Sequence, residues 1–118
     1  MWPGGCGWRS DGDIPLHVDG VRLWVRVSAG EPAIELFTLA VNNITSAGHA
    51  ARELVVVNRR HRWSRWTYRR SKIWQQLHIC PTAFSTTLFD EMLRTFVADH
   101  RAVTEDLADR LDGTAAFA

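Results

Sequence analysis

Residues 21–28 read Val-Arg-Leu-Trp-Val-Arg-Val-Ser, and their strict alternation constrains the fold more than any other feature of the chain. Val21, Leu23, Val25 and Val27 fall on one side of an extended segment, and Arg22, Trp24, Arg26 and Ser28 on the other. A period of two marks a half-buried strand, because successive side chains of extended backbone point to opposite faces. Such a strand needs neighbours for its backbone and a second layer over its apolar side. The neighbours are close at hand. Ile14–Val18 precedes it across Asp19-Gly20, a hairpin turn signal. After a turn at Gly30–Pro32, the segment Ala33–Val41 is apolar on both faces, which predicts a strand that is central or covered on both sides.

The period changes after Asn42-Asn43. Thr45 or Ser46 can cap a helix, and Ala47, Ala50, Ala51, Leu54, Val55 and Asn58 recur at three- and four-residue spacing to about Arg60. Two strands follow, 64–70 and 72–80, with a tight turn near Arg70-Ser71. In the second, Ile73, Gln75, Leu77 and Ile79 alternate against Trp74, Gln76, His78 and Cys80. Pro81 ends the pairing. Ser85 caps a long helix with Leu88, Phe89, Met92, Leu93, Phe96, Val97, His100, Val103, Leu107 and Leu111 on one side, and Gly113 stops it. The order β-β-β-α-β-β-α predicts an α+β fold, a mainly antiparallel five-stranded sheet with helices packed on one face. Residues 13–113 form this single domain, between a glycine-rich, flexible leader at 1–12 (or the start of a fragment) and a tail at 114–118.

A helix over 85–112 is roughly 42 Å long, whereas eight-residue strands span roughly 27 Å. The apolar stripe continues to Leu111 all the same. Either the helix breaks near His100-Arg101 and folds back, or a second chain covers the overhang. On the sheet's other side, Arg22, Trp24 and Arg26 share a face with Trp74, Gln76 and His78. Two exposed tryptophans there approach the size of apolar patch that marks a binding surface. These six residues are the candidate partner-binding site.

Composition narrows the function. The chain has 118 residues, enough for one domain with a core, and 46% of them are apolar, which argues against wholesale disorder. No apolar run approaches the ~20 residues of a spanning helix, and Met1–Ser10 lacks the basic start and apolar centre of a secretory signal. The expectation is a cytoplasmic protein without membrane contact. Cys6 and Cys80 form neither a CxxC nor a disulfide framework. The net charge is +1, yet eight cations stand against Glu53 in residues 52–72, while 90–112 is dominated by acids. That asymmetry fits either an anionic partner or attraction between the two halves.

Catalytic patterns do not emerge. The five histidines are scattered, with no HExxH or Cys/His spacing, and Gly4, Gly5 and Gly7 precede no strand–helix unit. His78 and Cys80, two apart on one strand face, are read as a structural pair, and His100 as a seam residue of the last helix. Asp11 and Asp13 are read as turn formers. No enzyme activity, cofactor or metal is expected. The basic–aromatic stretch 59–70 (Arg59, Arg62, Arg65, Arg69 and Arg70 with Trp63, Trp66 and Tyr68) could neutralise phosphates and stack on bases. It also suits a helix C-terminus followed by an outer strand with Trp66 and Tyr68 on the core side.

Several segments together resemble the YbjN and type III secretion chaperone-like family, particularly its actinobacterial members. They are Asp11-Gly12-Asp13-Ile14-Pro15, Val25-Arg26-Val27, Ala51-Arg52-Glu53-Leu54 running to Asn58, Ile73-Trp74 with Leu77, and Phe84 with Leu88. The resemblance covers about residues 11–113. It implies a secretion-chaperone-like α+β fold, often dimeric, that binds peptides or unfolded segments of a partner without ATP, cofactor or catalytic residues. The glycine-rich leader stands where members usually carry an N-terminal helix. The expected function is a non-enzymatic peptide- or protein-binding module acting as a homodimer. A nucleic-acid-binding regulator and a purely structural dimerisation domain are the alternatives.

Overall fold

The computed structural model describes residues 13–28, 33–80 and 85–116; the leader at 1–12 lies outside the described residues. β1 (Asp13–Val18) and β2 (Val21–Ser28) form a hairpin closed by Asp19 and Gly20, both at positive φ, 49° and 82°. Two successive left-handed residues make a type I′ turn, whose twist matches that of the paired strands. β3 (Ala33–Asn42) pairs with β2, and α1 (Ala47–Arg60) follows, its first turn capped by the Ser46 hydroxyl accepting from the His49 N–H. β4 (Arg65–Arg69) and β5 (Lys72–Ile79) form a second hairpin, turned by Arg70 and Ser71 at φ 51° and 67°. α2 (Thr86–Leu111) is capped by Ser85, and β6 (Thr114–Ala115) follows it.

The strands lie in the order β1-β2-β3-β5-β4, and every neighbouring pair is antiparallel. β3 is central, as its two apolar faces predict. The α+β class and the antiparallel sheet agree with the sequence. The sheet has six strands, however, not five. Thr114 and Ala115, expected in a tail, pair with Asn42 and Val41, and the Ala116 N–H bonds to the Ala40 carbonyl. A two-residue strand is too short to leave an alternating pattern.

α2 is one unbroken helix of 26 residues, about 39 Å long. Neither a break at His100 nor a second chain is needed to cover its stripe. α2 serves two core clusters in succession, one over the sheet and one shared with α1. Its first half, Leu88 to Val97, packs with Val21, Leu23, Val25, Leu36, Leu77 and Ile79. Its second half, Val103, Leu107, Ala108 and Leu111, packs with Ala50 and Leu54 of α1, with Trp66, and with Ala40 and Val41 of β3. The register shift between Leu39 and Val41 lets both Ala40 and Val41 join that second cluster.

Two sequence assignments shift phase. In α1 the buried stripe runs through Ala50, Leu54, Val57 and Asn58, and Val55 is 51% exposed beside Val56 at 44%. Val27, on the helix side of β2, is 60% exposed because it sits at the strand's end, beyond the core cluster.

Candidate functional site

Cross-strand register gathers the helix-free face of the sheet into rows. Pro15, Trp24, Phe37, Gln76 and Arg65 line up across all five long strands. Beside them run Asp13, Arg26, Glu35 and His78, and on the other flank Leu39, Trp74 and Thr67. Arg22, opposite His17, stands at the same end of the face as Trp74. All six candidate residues, Arg22, Trp24, Arg26, Trp74, Gln76 and His78, therefore share one face. Trp24, Gln76, Arg26 and His78 fall in two adjacent rows, while Trp74 lies two strands from Trp24.

The tryptophans are half-buried, not exposed as the sequence suggested. Phe37, which alternation alone did not single out, is the reason for part of this. Its ring is 0% exposed, stacks on Trp24 at 6.0 Å between centroids, and carries the Arg26 guanidinium 5.2 Å from its centre. The signal was present in the double apolar phase of 33–41, which requires large side chains on both faces of the central strand.

The charged pairs on this face are ordered. Arg26 grips Asp13 through Nε–Oδ1 at 3.0 Å and Nη2–Oδ2 at 3.3 Å, a two-point contact across the β1–β2 pair. Asp13 thus ties two strands together and is not a turn former. His78 Nε2 meets Glu35 Oε2 at 3.1 Å, and this hydrogen bond holds the imidazole pKa above its usual value against the opposing effect of burial.

At the end of this face, between the C-terminus of α1 and the β4–β5 hairpin, lies a cleft of about 180 Å³. Asn58, Arg62, Trp63, Arg65, Gln76 and His78 are among its walls. Behind it, Asp99 of α2 accepts from the Ser64 hydroxyl at 2.8 Å and meets His61 Nδ1 at 3.1 Å. The chain of bonds continues inward. Gln75 donates to Ser64 Oγ and to the Phe96 carbonyl, and its Oε1 lies 3.0 Å from His100 Nδ1. A Ser-His-Asp trio is thus assembled with the carboxylate in the middle, whereas nucleophile activation needs the imidazole there. These groups fasten a loop to a helix.

A family model described as T3SS (YopN, CesT) and YbjN peptide-binding chaperone 1 matches residues 8–118. The chain belongs to that family. It is a peptide-binding chaperone module of the T3SS/YbjN type, in agreement with the resemblance carried by Asp13-Ile14-Pro15, Asn58 and Ile73-Trp74. Among solved structures, the crystal structure of the ExsC-ExsE complex contains a chain similar in fold, with a TM-score of 0.67 at 18% identity over 84% of this chain and 78% of that one. No curated protein sequence matches the chain. Among the described residues, no helix of this chaperone module is long and apolar enough to cross a membrane.

The arginines of the basic–aromatic stretch divide: Arg62 and Arg65 share the walls of the cleft, whereas Arg59 lies in the last turn of α1, Arg69 further along β4, and Arg70 in the turn at the far end of that strand. Trp66 is buried and Tyr68 half-buried on the core side.

Proposed function

We propose that this chaperone module captures an extended, unfolded segment of a partner protein on the helix-free face of its sheet, without catalysis or a cofactor, in the cytoplasm. One observation carries the assignment of the face. Trp24, Leu39 and Trp74, half-buried around the buried Phe37, form an apolar band across the three central strands, flanked by Arg22, Arg26, Gln76 and His78. Aromatic rings supply large contact area at small entropic cost, and the polar groups beside them suit a peptide backbone.

Edge pairing contributes little to this reading. β1 places Pro15 where an outward N–H is required. In a two-residue hairpin the closing pair Val18–Val21 is hydrogen-bonded, so Asp13, Pro15 and His17 direct their backbone groups outward. The β4 edge is partly occupied by Asn58, which donates to the Trp66 carbonyl and accepts from its N–H.

The test is anisotropy of a fluorescein-labelled, Leu- and Val-rich peptide. Trp24→Ala with Trp74→Ala is expected to weaken binding at least about tenfold while leaving the circular-dichroism spectrum unchanged. Undiminished affinity rejects this face. A homodimer is part of the proposal, supported by exposed Val55 and Val56 on the outer side of α1, and light scattering across concentration tests it.

A further inference from the structure

We propose that the cleft at the end of β4–β5 anchors an acidic side chain of the bound peptide, with an apolar neighbour of that residue resting on Trp63. The inference deepens the peptide-binding reading and rests on it. Three observations carry it.

The first is charge. Among the described strand residues, Asp13 and Glu35 are the acids of the helix-free face, and each already has a cation, Arg26 and His78 respectively. Arg22, Arg65 and Lys72 stand on that face or its margin, and Arg62 joins Arg65 at the cleft. Neither Arg62 nor Arg65 takes part in an ion pair among the described residues, and both are exposed. Asp99 behind the cleft is engaged by His61 and Ser64, so among the described residues the two arginines give a partner segment lying here a positive wall.

The second is shape. The cleft of about 180 Å³ has room for one side chain. Two guanidinium groups on its walls match a carboxylate, which accepts paired N–H bonds in one plane. Arg65 stands in the same cross-strand row as Gln76, Phe37 and Trp24, so a chain crossing the apolar band reaches the cleft without a turn.

The third is Trp63. Its side chain is 58% exposed at the rim, although the buried Trp66 and Ser64 nearby show that the loop itself is well anchored. A large ring held out from a fixed loop offers stacking area to a neighbouring residue.

Two short fluorescein-labelled peptides test this, both Leu- and Val-rich, one with a central Asp-Glu pair and its twin with Asn-Gln. At low salt the acidic peptide is expected to bind the native protein about tenfold tighter than the twin, a preference that added salt erodes. Arg62→Gln with Arg65→Gln should reduce the acidic peptide to the twin's affinity and leave the twin unaffected. The charge-reversed pair Arg62→Glu with Arg65→Glu should instead prefer a Lys-Arg version. Equal binding of the twins by the native protein overturns the anchor while the peptide-binding face stands. Binding of neither peptide overturns both. Binding of a single-stranded oligonucleotide, lost in the Gln variants while neither peptide binds, assigns the cleft to nucleic acid and also overturns the proposal. Because the native protein alone decides between the twins, a variant that fails to fold leaves the outcome intact.

Discussion

His100 and His78 have opposite surroundings and should leave opposite marks on stability. His100 is buried on α2, and burial holds its pKa below the usual 6.5 against a raising hydrogen bond with the Ala116 backbone. The unfolded chain therefore binds a proton more readily than the folded one below about pH 6.5. Its contribution is fully present above that value and is lost as pH falls towards the folded pKa. His78, raised by Glu35, behaves the other way. Its contribution is present below about pH 6.5 and is lost as pH rises through the folded pKa. His100→Asn keeps a donor for Gln75 Oε1 and removes the titration, so its melting temperature should fall less between pH 7 and 5, roughly the window for histidine. His78→Gln should flatten the decline above about pH 6.5. Parallel pH profiles for native protein and variant, followed by circular dichroism, would remove either assignment. The sequence placed His100 on the apolar stripe correctly, but Gln75 as its partner depends on how α2 crosses β5, which no local pattern encodes.

At the scale of elements, Asn58 decides how β4 ends the sheet. An edge strand exposes a row of unpaired donors and acceptors that invites another chain. Asn58 fills part of that row with its own amide, Nδ2 to the Trp66 carbonyl at 2.9 Å and Oδ1 to the Trp66 N–H at 2.8 Å, in the manner of a neighbouring strand. Asn58→Ala should cost about 1–2 kcal/mol for the two lost bonds and raise the tendency to associate through β4. Asn58→Asp keeps the acceptor alone and should fall between. Thermal melts and light scattering check both effects, and an unchanged melting temperature in Asn58→Ala would mean that water replaces the amide at no cost. Strand limits were legible because alternation and turn residues act locally. Asp19-Gly20 and Arg70-Ser71 each mark their turn, and Ser46 and Ser85 each mark a cap. The phase of α1 was not, since Ala47, Ala51 and Val55 make as good a stripe on paper as Ala50, Leu54 and Asn58. The positions of β4 and α2 beside the helix separate them.

For the molecule as a whole, the second half of α2 carries a core cluster up to Leu111, something must close that core at the helix's C-terminal end, and the last described residues provide it. Asp112 takes the left-handed conformation at φ 57°, the Gly113 N–H returns to the Ala108 carbonyl, and the chain reverses to lay β6 on β3. Glycine at 113 was legible as a helix stop, yet its stronger constraint is space. A Cβ there would stand 2.7 Å from Val41 Cγ1 and 2.8 Å from the Asn42 carbonyl oxygen and Ile44 Cδ1. One of those contacts is backbone of the central strand, so the clash cannot be relieved by rotating a side chain. Gly113→Ala should therefore push β6 away from β3 and destabilise the fold by about 1–3 kcal/mol, the usual cost of overpacking. Because the second core cluster joins α1, α2, β3 and β4, the loss should appear in global unfolding and not as fraying of the terminus alone. Denaturant titration monitored by far-ultraviolet circular dichroism separates the two. A lower midpoint with unchanged slope supports closure by the C-terminal turn, and a native midpoint would show that the helix end stands independently of the sheet.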